Sequence, residues 1–125
     1  MAVTHPTAIR NGIADHVVEQ LDGGTIEFLT SGDAEVATLT FSATAFDAAG
    51  TAGAGIATAA AITADDSCNP GTVTKFVAKA SNGTDIIFQG DVTATGGGGD
   101  IILSSTAIGG GDTISISALT YEAPA

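Results

Sequence analysis

The spacing of apolar residues changes once along this chain, and that change constrains the fold more than any other feature. Ile9, Ile13, Val17 and Leu21 recur at every fourth position, and Ala14 and Val18 widen the stripe. Such a stripe predicts an amphipathic helix over residues 7–21 with one face against a sheet. Thr7 is the expected N-cap, and Gly23-Gly24 the stop. Arg10, Asn11, Asp15, Glu19 and Asp22 fall on the other, solvent side.

From Thr25 onward the period is two. Ile26 and Phe28 share one face of a strand at 25–30, and Glu27 takes the other. In 35–41, Ala37, Leu39 and Phe41 alternate with Thr38 and Thr40, the pattern of a strand with one wet face. Residues 42–55 are rich in Ala, Gly and Thr and read as a loop, anchored by Phe46. A weaker strand holding Ile56 and Ile62 is expected within 55–63.

Ser81-Asn82-Gly83 marks a hairpin. A two-residue Asn-Gly loop would put Phe76 and Phe88 on opposite faces. A three-residue loop pairs Ala80 with Thr84, so Phe76, Ala78, Ile86 and Phe88 share a face, with Gly83 left-handed. Lys79 then falls opposite Asp85, and Lys75 opposite Gln89. The remaining expected features are a glycine corner at 96–99, a strand at 100–104, a glycine turn at 109–111 and a last strand at 113–121. Parity breaks at Leu119 and Tyr121, which predicts a bulge near Ala118.

One helix and about seven short strands indicate a mainly β fold, an antiparallel sandwich or partly closed barrel. The division is an extended arm over residues 1–6, kept extended by Pro6, and a single domain over 7–125, its helix 7–21 packed on a β-sandwich 25–121. Aromatics make up only 5% of the chain, so the core is thin and aliphatic, and partner or oligomer contacts are expected to add stability.

Charge narrows the function. Arg10, Lys75 and Lys79 are the only cations against 14 acids, giving a net charge of −11. No basic cluster exists to displace counterions from phosphate, so nucleic acid is excluded as a partner, and so are anionic membranes. The acids read most simply as a solvated surface, and more sharply as attraction to a basic protein surface. No basic segment followed by an apolar stretch opens the chain, so no signal peptide is expected, and no apolar run is long enough to span a membrane.

Motifs for chemistry are few. Gly97-Gly98-Gly99-Asp100 and Gly109-Gly110-Gly111-Asp112 resemble glycine-rich calcium repeats, but two partial copies cannot stack, and turns that open strands account for them better. No lysine follows either run as nucleotide binding requires. His5 and His16 lack metal-pair spacing, and His16 reads as a helix-face residue. Cys68, within Asp-Asp-Ser-Cys-Asn-Pro, is expected as a surface or half-buried thiol without a catalytic partner. Catalytic, cofactor and metal residues are therefore all read as none. A polysaccharide hydrolase would need convergent titratable groups and stacking aromatics that the sequence does not supply.

Several stretches together resemble a family of small structural proteins of tailed bacteriophages. They are Arg10-Asn11 leading into Ile13-Ala14-Asp15, Val17-Val18 and Leu21-Asp22; Glu35-Val36-Ala37-Thr38-Leu39-Thr40-Phe41-Ser42; Asn82-Gly83-Thr84 running into Gln89-Gly90-Asp91-Val92; Asp100-Ile101-Ile102-Leu103; and Gly111-Asp112-Thr113-Ile114-Ser115-Ile116. The resemblance covers most of the chain and rests on packing and turn patterns. It implies a capsid decoration, or cement, protein: not an enzyme, made in the host cytoplasm, located on the virion surface, without a cofactor. It further implies a homotrimer bound to the major capsid protein lattice. The alternative is a head-fibre, tail or baseplate β-domain that binds host-surface glycans. The family carries over no contact residue. The arm residues Ala2, Val3, Thr4, His5 and Pro6 are the expected partner contacts, because an extended arm can add to a neighbour's sheet edge.

Overall fold

The structure is a computed structural model that describes residues 3–51, 53–98, 101–103, 105–116 and 119–123. Among the described residues, one helix, α1 (Thr7–Glu19), precedes ten strands. These are β1 (Thr25–Leu29), β2 (Glu35–Phe41), β3 (Ile56–Thr58), β4 (Ile62–Thr63), β5 (Gly71–Thr72), β6 (Lys75–Lys79), β7 (Ile86–Ala94), β8 (Ile101–Leu103), β9 (Ala107–Ile108) and β10 (Thr120–Glu122). The fold is mainly β with one N-terminal helix, as the change of period implies, and the described sheets do not close into a barrel.

The large sheet has the order β4-β2-β1-β6-β7-β8. Its first five strands are antiparallel, and β8 joins in parallel. Two-stranded sheets β10-β3 and β5-β9 complete the described strands. The register builds the core in rows. Leu39, Ile26, Ala78 and Phe88 face one another across β2, β1, β6 and β7, and Ala37, Phe28, Phe76 and Gly90 form the next row. Phe28, Ile26 and Leu39 are fully buried. Phe88 meets Phe76 edge-on at 6.2 Å and stacks on Tyr121 of β10 at 5.4 Å, which places the β10-β3 sheet over this apolar face. Phe46 anchors its loop, packing on Phe41 at 5.8 Å.

The helix differs from expectation at both ends. Pro6, not Thr7, is the N-cap; its carbonyl accepts from the Ile9 and Arg10 amides at 3.0 Å, and no side chain caps the end. Proline at this position already has the extended backbone that an N-cap requires. The α-helix stops at Glu19, two residues before the expected Leu21, and tightens into a turn in which the Leu21 amide donates to Val18 O. The buried stripe is Ala14, Val18 and Leu21. Ile13 and Val17 are half-buried at its margin, and Ile9 is 51% exposed. The helix lies against β3 and β10, so small side chains at 14 and 18 admit close approach, while Ile9 sits beyond that contact.

The hairpin loop is one residue longer than the sequence suggests. The Ala80 amide donates to Asp85 O, and Asn82 Oδ1 accepts from the amides of both Thr84 and Asp85. That Asx turn draws Thr84 into the loop. A bulge between Ala78 and Lys79 then restores the parity. Phe76, Ala78 and Phe88 share the core face as expected, with Gly83 at φ 76, but Lys79 faces Ile86 and Lys75 faces Asp91. Ile86 consequently points outward, 52% exposed.

The expected last strand is two separate pieces. Ile114 bridges Asp65, and only Thr120–Glu122 forms a strand, paired with β3. The bulge expected near Ala118 lies outside the described residues. The expected strand at 55–63 divides into β3 and β4, which belong to different sheets.

Candidate docking surfaces

The arm is solvent-facing where it is described. Val3 is 68% exposed, and Thr4, His5 and Pro6 are exposed and outside any helix or strand. Pro6 is extended, with φ −65 and ψ 162. Ala2, also an expected contact, lies outside the described residues. The exposed Ile9 follows the arm on the first helical turn, so apolar surface flanks Pro6 on both sides in sequence.

The three cations are all engaged inside the molecule. Arg10 Nη2 lies 3.2 Å from Glu122 Oε2 and donates to Ala123 O at 3.1 Å, tying α1 to β10. Lys79 Nζ lies 3.1 Å from Glu27 Oε1. Lys75 pairs with Asp33, a turn residue at φ 68. Neither lysine takes the cross-strand partner that the shorter loop would have given it. The shifted register sets Lys79 opposite Ile86 and Lys75 opposite Asp91, and the carboxylates that pair with the lysines come from β1 and the turn after it.

Asn11 and four of the acids that read as a solvated surface are instead acceptors for backbone amides. Asn11 Oδ1 accepts from the Gly55 amide at 2.7 Å, Asp15 Oδ1 from Ala49 at 2.7 Å, and Asp22 Oδ1 from Ala45 at 2.8 Å. Asn11 and Asp15, beside the buried Ala14 and Val18, and Asp22 just beyond the helix thus hold the loop between β2 and β3. Asp65 accepts from Thr38 through one oxygen and from Ser67 through the other, both at 2.9 Å. Asp112 Oδ2 accepts from Gly109 at 2.8 Å and closes the second glycine turn, in keeping with a turn rather than a calcium repeat. Asp100, the matching residue of the first glycine run, lies outside the described residues. In a chain poor in large apolar side chains, these side-chain oxygens satisfy backbone amides that would otherwise rely on water.

Cys68 is 3% exposed, a correction to the expected surface or half-buried thiol. Its turn is covered because the amide donates to Asp112 O and the neighbouring Asn69 amide to Val36 O. Sγ donates to Asp65 O at 3.4 Å. Burial pushes the thiol pKa up, and the nearby Asp65 carboxylate adds to the rise. That is the opposite of an activated nucleophile.

Two concavities stand out. An open groove of about 480 Å³ is lined by Leu103, Ser105, Ala107, Ile108 and the segment Asp112–Ser115. A smaller one, about 210 Å³, lies between α1 and its tethered loop, where Val18 and Phe46 meet Asp15, Glu19, Asp22 and Asp47. Among the described residues, no group of three or more His, Cys, Asp or Glu side chains is placed to hold a metal ion. No helix among them is long and apolar enough to cross a membrane. Compared with protein-family models, curated proteins and solved structures, the chain matches none.

Proposed function

We propose that this chain is a structural virion protein of the capsid decoration type, which binds the assembled major capsid protein lattice as a homotrimer and stabilises the phage head. One observation carries the reading beyond the sequence resemblance. Each of the three cations is tied to a carboxylate of its own chain, so the charge left for a partner is negative. Such a surface suits docking on a comparatively basic protein face. The exposed, extended arm supplies a contact element that can reach beyond the domain.

A protein that binds the lattice but not loose capsid subunits stabilises the lattice by mass action, and repeated copies add avidity. The test is to add purified protein to expanded capsids of a matching phage. Co-sedimentation and a raised capsid melting temperature are expected. Absence of the protein from purified particles ends this reading. Affinity for cell-surface polysaccharide without capsid binding favours the head-fibre, tail or baseplate reading instead.

A further inference from the structure

We propose that the groove lined by Leu103, Ile108 and the segment Asp112–Ser115 receives the N-terminal arm of a second copy of this chain as an added strand. Three observations converge. First, the groove is bordered by unpaired backbone. Ile114 spends both its backbone groups on Asp65, donating at 2.9 Å and accepting at 3.1 Å. In an extended segment the neighbouring groups point the opposite way, so those of Thr113 and Ser115 are directed away from Asp65. Both residues line the groove, and neither has a backbone partner among the described residues. Leu103 ends β8, the last strand of the large sheet, and borders the same groove.

Second, the arm matches the groove in form. Val3, Thr4 and His5 are exposed and lie outside any described strand. Three extended residues span about 10 Å, the reach of the segment 113–115. The half-buried apolar part of the lining, Leu103 and Ile108, offers contact for Val3, which is 68% exposed in the isolated chain. Pro6, which has no amide to donate, ends the pairing and returns the chain to its own helix.

Third, charge selects the occupant. Two copies, each at −11, repel over most of their surfaces. Among the described residues, the groove lining holds one carboxylate, Asp112, and no cation. Residues 3–9 hold no carboxylate at all, so this exposed segment meets an acidic groove at low electrostatic cost. The arm's own helix carries no acid in its first turn, which keeps the approach clear. The proposal names the arm's partner and stands whether or not the chain binds a capsid.

Light scattering over a concentration series tests it. The intact chain is expected to rise from 12.1 kDa to a multiple of that mass, and to do so at lower concentration as salt screens the repulsion. Deleting residues 1–6, or filling the groove with Ser115→Trp, is expected to hold the mass at 12.1 kDa with an unchanged circular dichroism spectrum. Because a variant can fail to fold, a synthetic peptide of residues 1–9 added in excess to the intact chain provides a second arm, and it is expected to return the associated form to 12.1 kDa. A monomer at all concentrations overturns the proposal. So does association that survives the deletion, or that the peptide does not compete. Capsid binding by a chain that is monomeric in solution and that assembles only on the lattice would overturn this inference while leaving the proposed function intact.

Discussion

Lys79 and Glu27 form a half-buried ion pair diagonally across β1 and β6, with Nζ 3.1 Å from Oε1 and 3.2 Å from Oε2. Glu27 directly faces Val77, so the pair lies over a side chain only 6% exposed. Both charged side chains retain about a fifth of their exposure, 21% and 22%. The pair therefore joins neighbouring strands of the large sheet on the face away from the core.

Breaking this pair should cost more than breaking an ordinary surface pair but less than breaking a buried one. Glu27→Gln and Lys79→Met are each expected to lower unfolding free energy by about 1 kcal/mol, near the upper end for partly exposed pairs. Urea unfolding checks this. The double variant should lose less than the sum of the two singles, because neither charge is then left alone. Additive losses would show that the pair contributes nothing beyond its separate side chains.

Replacing Asn11, Asp15 or Asp22 by Ala removes the oxygen that accepts from Gly55, Ala49 or Ala45 respectively. Each substitution should cost about 1–3 kcal/mol, since a part-buried amide loses its partner. Asp15→Asn keeps an accepting oxygen and should cost less than Asp15→Ala. Hydrogen exchange should quicken at the freed amide in each case, ahead of any change in the large sheet. Equal protection of the Ala49 amide in the wild type and in Asp15→Ala would contradict the tether.

These tethers show what the sequence made legible. Residues 25–29 and 35–41 could be read because Ile26, Phe28, Ala37, Leu39 and Phe41 alternate with Thr25, Glu27, Thr38 and Thr40, as one buried sheet face demands; Val36, buried on the Thr side, breaks the pattern. The pairs β5-β9 and β10-β3 could not, because strands of two or three residues are too short to carry a period. Residues 11, 15 and 22 could be placed on one face of a helix, but not matched to their acceptor roles. Their partners are backbone amides, which look the same at every position in a sequence. The bulge at Ala78 was hidden for a related reason: two one-residue shifts, in the loop and in the strand, cancel in the parity of Phe76 and Phe88. The arm could be read as extended from Pro6, whereas the groove appears only once segments distant in sequence are brought together.

Two glycines should respond in opposite directions. A Cβ on Gly24 would overlap the backbone oxygen of Lys79 and lie 3.0 Å from Leu21 O, so Gly24→Ala forces apart the close approach of the helix exit to β6. A loss above about 3 kcal/mol, or failure to fold, is expected. Gly12 lies within α1 with nothing within 4 Å of its missing Cβ, so Gly12→Ala should stabilise by about 0.5–1 kcal/mol through helix propensity alone. Thermal melts of the two variants decide this. A destabilised Gly12→Ala would show that the helix face at residue 12 is not free.

Cys68 gives the pH prediction. Its thiol is buried and its pKa raised, first by desolvation and then by Asp65. In the unfolded chain the thiol ionises above about pH 8.5, whereas the folded chain keeps its proton to higher pH. In that window the folded state binds more protons than the unfolded state, so stability falls as pH rises. Below the unfolded-state pKa both states are protonated and the contribution is flat. Urea unfolding of wild type and Cys68→Ala between about pH 7 and pH 10 isolates the effect as the difference in slope. The wild type should lose stability faster than the variant above about pH 8.5. In parallel, a thiol reagent at pH 8 should label the native protein only as fast as it opens. Immediate stoichiometric labelling of the folded chain would show that Cys68 is accessible, and parallel slopes would show that its ionisation is not linked to folding.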